Sequence, residues 1–392
     1  MKVVLARDFG TVYDQICSPD ASFGAPGTES QTYLHARHLV ELGHKVYVTG
    51  STRKNLEDGG IHYIGLEGLA ESKEFILDIS PDLIIAEGGQ FFLKAFGLKL
   101  DSQLKDKLKK TYFLQVMHNG PVWDTHVKHS YTDYWCYVCE SQKFFHKLYP
   151  SFDLFNATFF ESVHSKTTDC KRNMQIVTVG APTKPGIIDA INVIRKLQKD
   201  YDFKAVFLMP QWSSDSKKFM DLQNRYPEVT FDNLNVRDFS RLLKESLAVI
   251  SSFHPGEQCP VTILDSYATG TLCITGKKGS LRYLNPAGIR CGTGDLEDVI
   301  KWVIQNPDKC IELGKRGLAH LKQSGHTESA QKAQLKHIID FLEKHKKPGY
   351  LQKQYGRGLF RVDKKLRINR ARRILSDFQF AFVHKSWRSD VY

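Results

Sequence analysis

At 392 residues, with 41% hydrophobic and 25% charged residues, the chain has the composition of a soluble globular protein and is too long for a single core, so two domains are expected. No run approaches the roughly 18 apolar residues that span a bilayer, and charge breaks the first eight residues where a secretory signal would be apolar, so a cytoplasmic protein is expected, at most peripheral to a membrane. Of the formal net charge of +12, a share of +11 falls between Lys344 and Tyr392, where 14 Lys and Arg face 3 Asp; this tail seeks an anionic partner, either a membrane surface or nucleic acid.

Short β-branched or aromatic runs alternate with longer amphipathic segments, the pattern of parallel βαβ units. In the first half, strands are expected at 2–6, 45–50, 82–87, 112–118 and 134–140, with helices at 28–42, 69–79 and 91–110. An irregular stretch from about 149 to 173 holds the expected junction. A second series follows, with strands at 175–179, 205–209, 229–231, 247–251 and 271–275 and helices at 186–199, 216–226, 236–245 and 261–269. Three further helices are expected at 295–305, 307–323 and 328–346 before Pro348-Gly349 breaks the pattern.

The expected fold is therefore α/β, with two doubly wound domains, residues 1–170 and 171–345, facing a cleft, and a basic helical tail at 346–392. In the tail Val362, Leu366, Ile374, Leu375 and Phe378 can share one helical face bordered by Lys365, Arg367, Arg370 and Arg372. Packing on the first domain and binding of an anionic surface are both open to it. The eight cysteines are spread through expected strands and helices, unlike a small disulfide framework, and are read as reduced. Cys136 and Cys139 lie within an aromatic strand with no second pair, so burial is expected there rather than a metal or redox site.

The most informative segment is Gly256-Glu257-Gln258-Cys259-Pro260-Val261-Thr262-Ile263-Leu264-Asp265. Pro260 suits the first turn of a helix, where its missing N–H costs nothing. Glu257 then lies in the preceding loop and Asp265 about one and a half turns inside the helix. Free backbone N–H groups at such a helix start seat a diphosphate, and two flanking acids suit sugar hydroxyls. The bland reading makes Glu257 a turn cap and Asp265 a solvated helix residue.

From Ser251 to Thr275 the chain resembles the retaining glycosyltransferases of the GT-B fold in family 4, also called group 1, whose pattern is Glu, seven residues, Glu, then a small residue, Gly and a strand. The resemblance implies a donor site in the second domain and an acceptor site in the first. Glu257 would contact the transferred sugar and Asp265 the nucleotide ribose, although the family has Glu at the second position. Gly256, Cys259, Pro260 and Val261 would frame the nucleotide seat, and Gly279 falls in the place of the Gly-containing loop near the donor phosphates. Lys184 matches one of two phosphate-neutralising cations, Ala181 stands near the other, and Lys277 or Lys278 could compensate. Gly27 matches the Gly-rich turn before the first helix, where glycine permits close backbone approach. His118, at a strand end before a Gly-Pro turn, would sit beside the reacting sugar; its alternative is a hydrogen-bonded structural histidine.

The resulting expectation is sugar transfer from a nucleoside-diphosphate sugar to an acceptor hydroxyl, with retention and with no metal or other cofactor. The cleft segments lack the Asp-x-Asp pair of metal-dependent transferases. The acceptor is left open among a glycan, a lipid-linked sugar and DNA. The competing readings are a phage-type transferase acting on hydroxymethylated DNA bases, a nucleotide-sugar epimerase, and an inactive transferase-like binding protein.

Overall fold

The computed structural model describes residues 1–6, 27–50, 55–66, 69–87, 108–118, 132–140, 142, 150–168, 170–180, 184–208, 224–226, 234–254, 259–278 and 281–345. They form two compact units, one of the described residues within 1–6, 28–156 and 329–345 and the other of Gly27 and the described residues within 157–328.

The first unit contains β1 (Lys2–Ala6), α1 (Gly27–Glu41), β2 (Lys45–Gly50), β3 (Leu56–Asp58), β4 (Ile61–Gly65), α2 (Leu69–Ile79), β5 (Leu83–Ala86), β6 (Tyr112–Met117), β7 (Tyr134–Tyr137) and β8 (Ser151–Asp153). Its sheet runs β3-β4-β2-β1-β5-β6-β7-β8, parallel throughout except for β3 against β4. Residues 3–6 and 83–86 are buried at every position, because a parallel strand covered on both faces must be apolar without alternation. Each fully buried leucine or isoleucine here, such as Leu5 and Ile84, contributes about 2 kcal/mol. From β1 the chain turns first to β2 on one side and later to β5 on the other. The switch point of the sheet therefore lies between β1 and β5, where open α/β sheets bind ligands.

The β3–β4 hairpin was not expected from the sequence. Asp58 pairs with Ile61 across Gly59 and Gly60, whose φ values are +54° and +80°. Two successive positive φ angles define the tight turn that matches strand twist, and glycine adopts them without strain.

The second unit contains β9 (Gln175–Val179), α3 (Ile187–Leu197), β10 (Lys204–Leu208), α4 (Val236–Glu245), β11 (Ala248–Ile250), α5 (Val261–Ala268), β12 (Leu272–Gly276), α6 (Leu281–Leu284), β13 (Ile289–Cys291), α7 (Leu296–Gln305) and α8 (Pro307–Gln323). Its described strands form a parallel sheet in the order β10-β9-β11-β12-β13. Its core joins Ile176, Ala248, Ile250 and Ile274 of the sheet to Ile187, Ile191 and Ile194 of α3 and to Leu296, Ile300 and Val303 of α7. Asn235 caps α4 by accepting from the Asp238 N–H at 2.8 Å, and Pro307 opens α8 at its first position, both favourable helix starts. Here the switch point lies between β9 and β11.

The stretch expected to be irregular carries β8 and a π-helix, Phe160–His164. There the His164 N–H donates to the Phe159 carbonyl at 2.9 Å. The last helix, α9 (Glu328–Lys344), reaches the first unit's residues: Gln331 donates to the Phe155 carbonyl at 2.8 Å, and Gln334 accepts from the Phe155 N–H at 2.8 Å. Strand 229–231, most of helices 91–110 and 216–226, and the tail 346–392 lie outside the described residues. No described helix is long and apolar enough to cross a membrane.

Candidate active site

In the second unit, strand β11 ends at Ile250 and α5 begins at Val261, with Pro260 in extended conformation (φ −64°, ψ 117°) as its N-cap. Cys259 and Pro260 are buried and Val261 is half-buried. Glu257 and Gly256, in the loop between, and Gly279, after β12, lie outside the described residues. Lys184 stands in the turn that leads from β9 into α3. That turn and the loop after β11 therefore leave the carboxyl ends of the two strands that flank the switch point. Gly186 follows Lys184 with φ +84°, and a Cβ there would lie 2.5 Å from the Phe253 ring. Only glycine lets the Lys184 turn approach the loop after β11 so closely.

Asp265 sits in α5, with its side chain 13% exposed. It is not a solvated helix residue. Its Oδ1 accepts from the Thr158 hydroxyl at 2.5 Å and lies 3.2 Å from His164 Nε2. The His164 ring, fully buried, meets the Ser240 hydroxyl through Nδ1 at 2.9 Å, and Ser240 lies 3.1 Å from the Thr167 hydroxyl. Thr158, His164 and Ser240 were not singled out by the sequence, because their partners are 73 to 107 positions away in the chain. The cue that could have been used is a histidine inside a run otherwise rich in Thr and Phe.

The C-terminal ends of α4 and α5 are drawn together by Arg172. Its guanidinium donates to the carbonyls of Ser246 (2.6 Å), Gly270 (2.6 Å), Thr269 (2.9 Å) and Leu243 (3.2 Å) and to the Thr271 hydroxyl (3.0 Å). A cation suits this place because helix C-termini carry unpaired carbonyls and partial negative charge. Behind α5, Gly314 and Gly317 of α8 let the two helices touch: a Cβ at Gly314 would stand 2.0 Å from the Gly270 carbonyl oxygen, and one at Gly317 would stand 2.5 Å from the Tyr267 ring.

Lys277, at the end of β12, pairs with Asp295 at 3.2 Å, both side chains half or more exposed. The Gly292 N–H and Lys277 hold the Asp295 carboxyl below its usual range.

In the first unit, His118 follows β6 directly. Its Nε2 meets Glu87 Oε2 at 2.9 Å, while the other carboxylate oxygen meets His35 Nδ1 at 2.6 Å. Glu87 directly follows β5, its N–H donating to the Ala6 carbonyl at 2.9 Å, so the three side chains gather at the switch point of the first sheet. Burial opposes the charge of Glu87, but the two imidazoles outweigh it and hold the carboxyl well below the usual range. An ionised Glu87 accepts only, so His35 donates from Nδ1 and His118 from Nε2. Their outer nitrogens, His35 Nε2 and His118 Nδ1, are buried with no partner. Gly27 opens α1 and is exposed. Glu87 and His35 were missed in the sequence: one looks like the end of a strand, the other like one of several helix histidines.

Cys136 and Cys139 are buried free thiols, as expected, and burial pushes the Cys136 thiol well up.

No protein-family model matches the chain, and no curated protein matches it. Solved structures do. A sucrose-phosphate synthase from Thermosynechococcus elongatus is 13% identical, with a TM-score of 0.64 over 88% of this chain and 100% of that one. Anabaena HepE in complex with UDP-glucose is 13% identical, with a TM-score of 0.64 over 87% of this chain and 100% of that one. A glycosyltransferase from Rickettsia africae is 14% identical, with a TM-score of 0.58 over 88% and 98%. The shared architecture is the GT-B fold.

Proposed function

We propose that this chain, built on the GT-B fold, is a glycosyltransferase that moves a sugar from a nucleoside diphosphate to an acceptor hydroxyl, with retention and without a metal ion. The observation that carries the reading is Asp265, a carboxyl group held by the Thr158 hydroxyl and in contact with the His164 ring, one turn inside the helix that starts at the switch point of the second sheet. Such a helix start offers backbone N–H groups to a diphosphate, and an acid nearby accepts from ribose hydroxyls. The UDP and UDP-glucose held by HepE support a nucleotide-sugar donor.

On this reading the second unit binds the donor. Glu257 holds the transferred sugar, Lys184 and the backbone around Cys259, Pro260 and Val261 face the diphosphate, with Gly256 and Gly279 in its loops, and Asp265 takes the ribose. The first unit binds the acceptor, with His118 beside the reacting sugar and Gly27 at the turn before α1. Departure of the nucleoside diphosphate needs stabilised negative charge, which helix-start N–H groups and a lysine supply most strongly away from water. Lys277 contributes less to that charge while it is paired with Asp295.

Calorimetric titration of the full chain with UDP, GDP, ADP and CDP tests the donor site. Saturable binding of at least one is expected; no binding of any at high protein concentration would remove the reading. Incubation with donor alone separates transfer from epimerisation, since an epimerase converts the donor sugar without an acceptor.

A further inference from the structure

Buried charge at the switch point of the first sheet is costly and needs a reason. Replacing buried ionic groups by apolar side chains is often neutral or stabilising, yet Glu87 and His35 are fully buried and the His118 side chain is only 5% exposed. The three form one chain, with His35 Nδ1 at 2.6 Å from Glu87 Oε1 and His118 Nε2 at 2.9 Å from Glu87 Oε2. Each comes from a different element: His35 from α1, Glu87 from the end of β5 and His118 from the end of β6. An acid behind an imidazole fixes both its orientation and its tautomer, as the acid of a nucleophilic triad does. Here the two imidazoles keep the acid ionised, so it accepts from both, and in the neutral His118 ring the lone pair is left on Nδ1. That nitrogen is buried with no partner among the described residues. A buried acceptor of this kind calls for a donor from outside the fold; a hydroxyl brings one, whereas a phosphate or carboxylate oxygen brings only another acceptor.

We propose that Glu87 is a positioning residue for sugar transfer: it acts through His118, holding the ring so that Nδ1 receives a hydroxyl of the sugar or of the acceptor, and His35 in turn holds Glu87. This rests on the placement of His118 beside the reacting sugar given above and goes further. It assigns work to two residues that act only through another, and it names a hydroxyl, not the diphosphate, as the group that His118 meets. With one oxygen on each imidazole, the carboxylate cannot turn towards one ring without leaving the other.

The test follows release of nucleoside diphosphate by the full-length protein from UDP-glucose, UDP-N-acetylglucosamine, GDP-mannose or ADP-glucose, whichever the wild type turns over fastest. Glu87→Leu should lower kcat about tenfold or more, a modest share of what altering the acid behind a triad imidazole costs, while KM for the donor stays within about twofold. In a His118→Ala background the same substitution should cost nothing further within about twofold, because residues that act through one another are not additive; general loosening of the fold would slow both backgrounds alike. His35→Leu should share the loss of Glu87→Leu, and His35→Asn, whose amide can still donate to Glu87, should recover most of it. That second pair decides the matter should Glu87→Leu fail to fold. Equal loss from Glu87→Leu in both backgrounds would overturn the proposal, as would equal rates in the two His35 variants or an undiminished rate in His118→Ala; in each case the donor reading would stand. Turnover of none of these sugar nucleotides by the wild type would overturn the proposal together with the reading it rests on.

Discussion

Glu87 Oε2 accepts a hydrogen bond from His118 Nε2 at 2.9 Å, and this contact fixes which nitrogen of His118 carries its proton. With the proton on Nε2, the lone pair of Nδ1 points away from the carboxylate and is available as an acceptor. One buried acid thereby orients the ring proposed to stand beside the reacting sugar.

Replacing His118 with Ala should reduce transfer by about 100-fold or more, the usual scale for a positioned imidazole, while nucleotide affinity, assigned to the second unit, changes little. Initial rates together with calorimetry separate the two. An equal loss of nucleotide affinity would place His118 elsewhere in the scheme.

Removing Glu87 leaves two buried imidazole donors without an acceptor. Glu87→Leu should destabilise the protein by about 3 kcal/mol at pH 7, the scale of a broken buried pair, read as a shift of the urea midpoint. The folded carboxyl lies below its unfolded value of about 4.3, so its stabilisation is complete above that value and is lost as the pH falls below it. The difference between wild type and variant should therefore shrink below about pH 4 and not between pH 5 and 8.

His38 adds a second loss of stability in acid, at higher pH. Burial chiefly, with the neighbouring charges of Arg37 and His35, outweighs Glu41 and pulls its pKa down to about 4; the 3.6 Å to Glu41 is too long for a hydrogen bond. The folded state holds His38 neutral while the unfolded chain protonates near 6.5. Stability is thus full above that value and falls as the pH drops towards 4, by about 3 kcal/mol from this residue. His38→Phe should flatten the slope of unfolding free energy between pH 6.5 and 4; an unchanged slope would show that the ring is solvated.

Gly314→Ala forces a methyl group against the Gly270 carbonyl, where backbone meets backbone and no side chain can yield. A loss of about 3 kcal/mol is expected, at the upper end for overpacking, with a lower urea midpoint. Since α5 rests on this contact, nucleotide affinity should fall with it. Full stability would mean that α8 moves away at little cost.

The fold was legible wherever burial is continuous. Strands β1, β2 and β9 and helices α2, α4 and α8 begin and end where their apolar runs and caps predict. The hairpin at Gly59-Gly60 was equally readable, since Asp-Gly-Gly between short apolar runs is a turn signal. The π-helix was not readable, because its hydrogen bonds depend on packing against α4 and α5. The same limit applies to function. The strand-loop-helix around Asp265 could be found from local order, whereas Thr158, His164, His35 and Glu87 matter through partners 31 to 107 positions away, and no local pattern records such contacts.

The central claim is sugar transfer, and the most direct measurement is mass spectrometry of the full-length protein incubated with a panel of nucleotide sugars and candidate acceptors. The account predicts a product heavier than one acceptor by one sugar residue, with stoichiometric release of nucleoside diphosphate, and loss of both in Glu257→Gln. A product formed undiminished by that variant, or no product from any donor and acceptor pair, would contradict it.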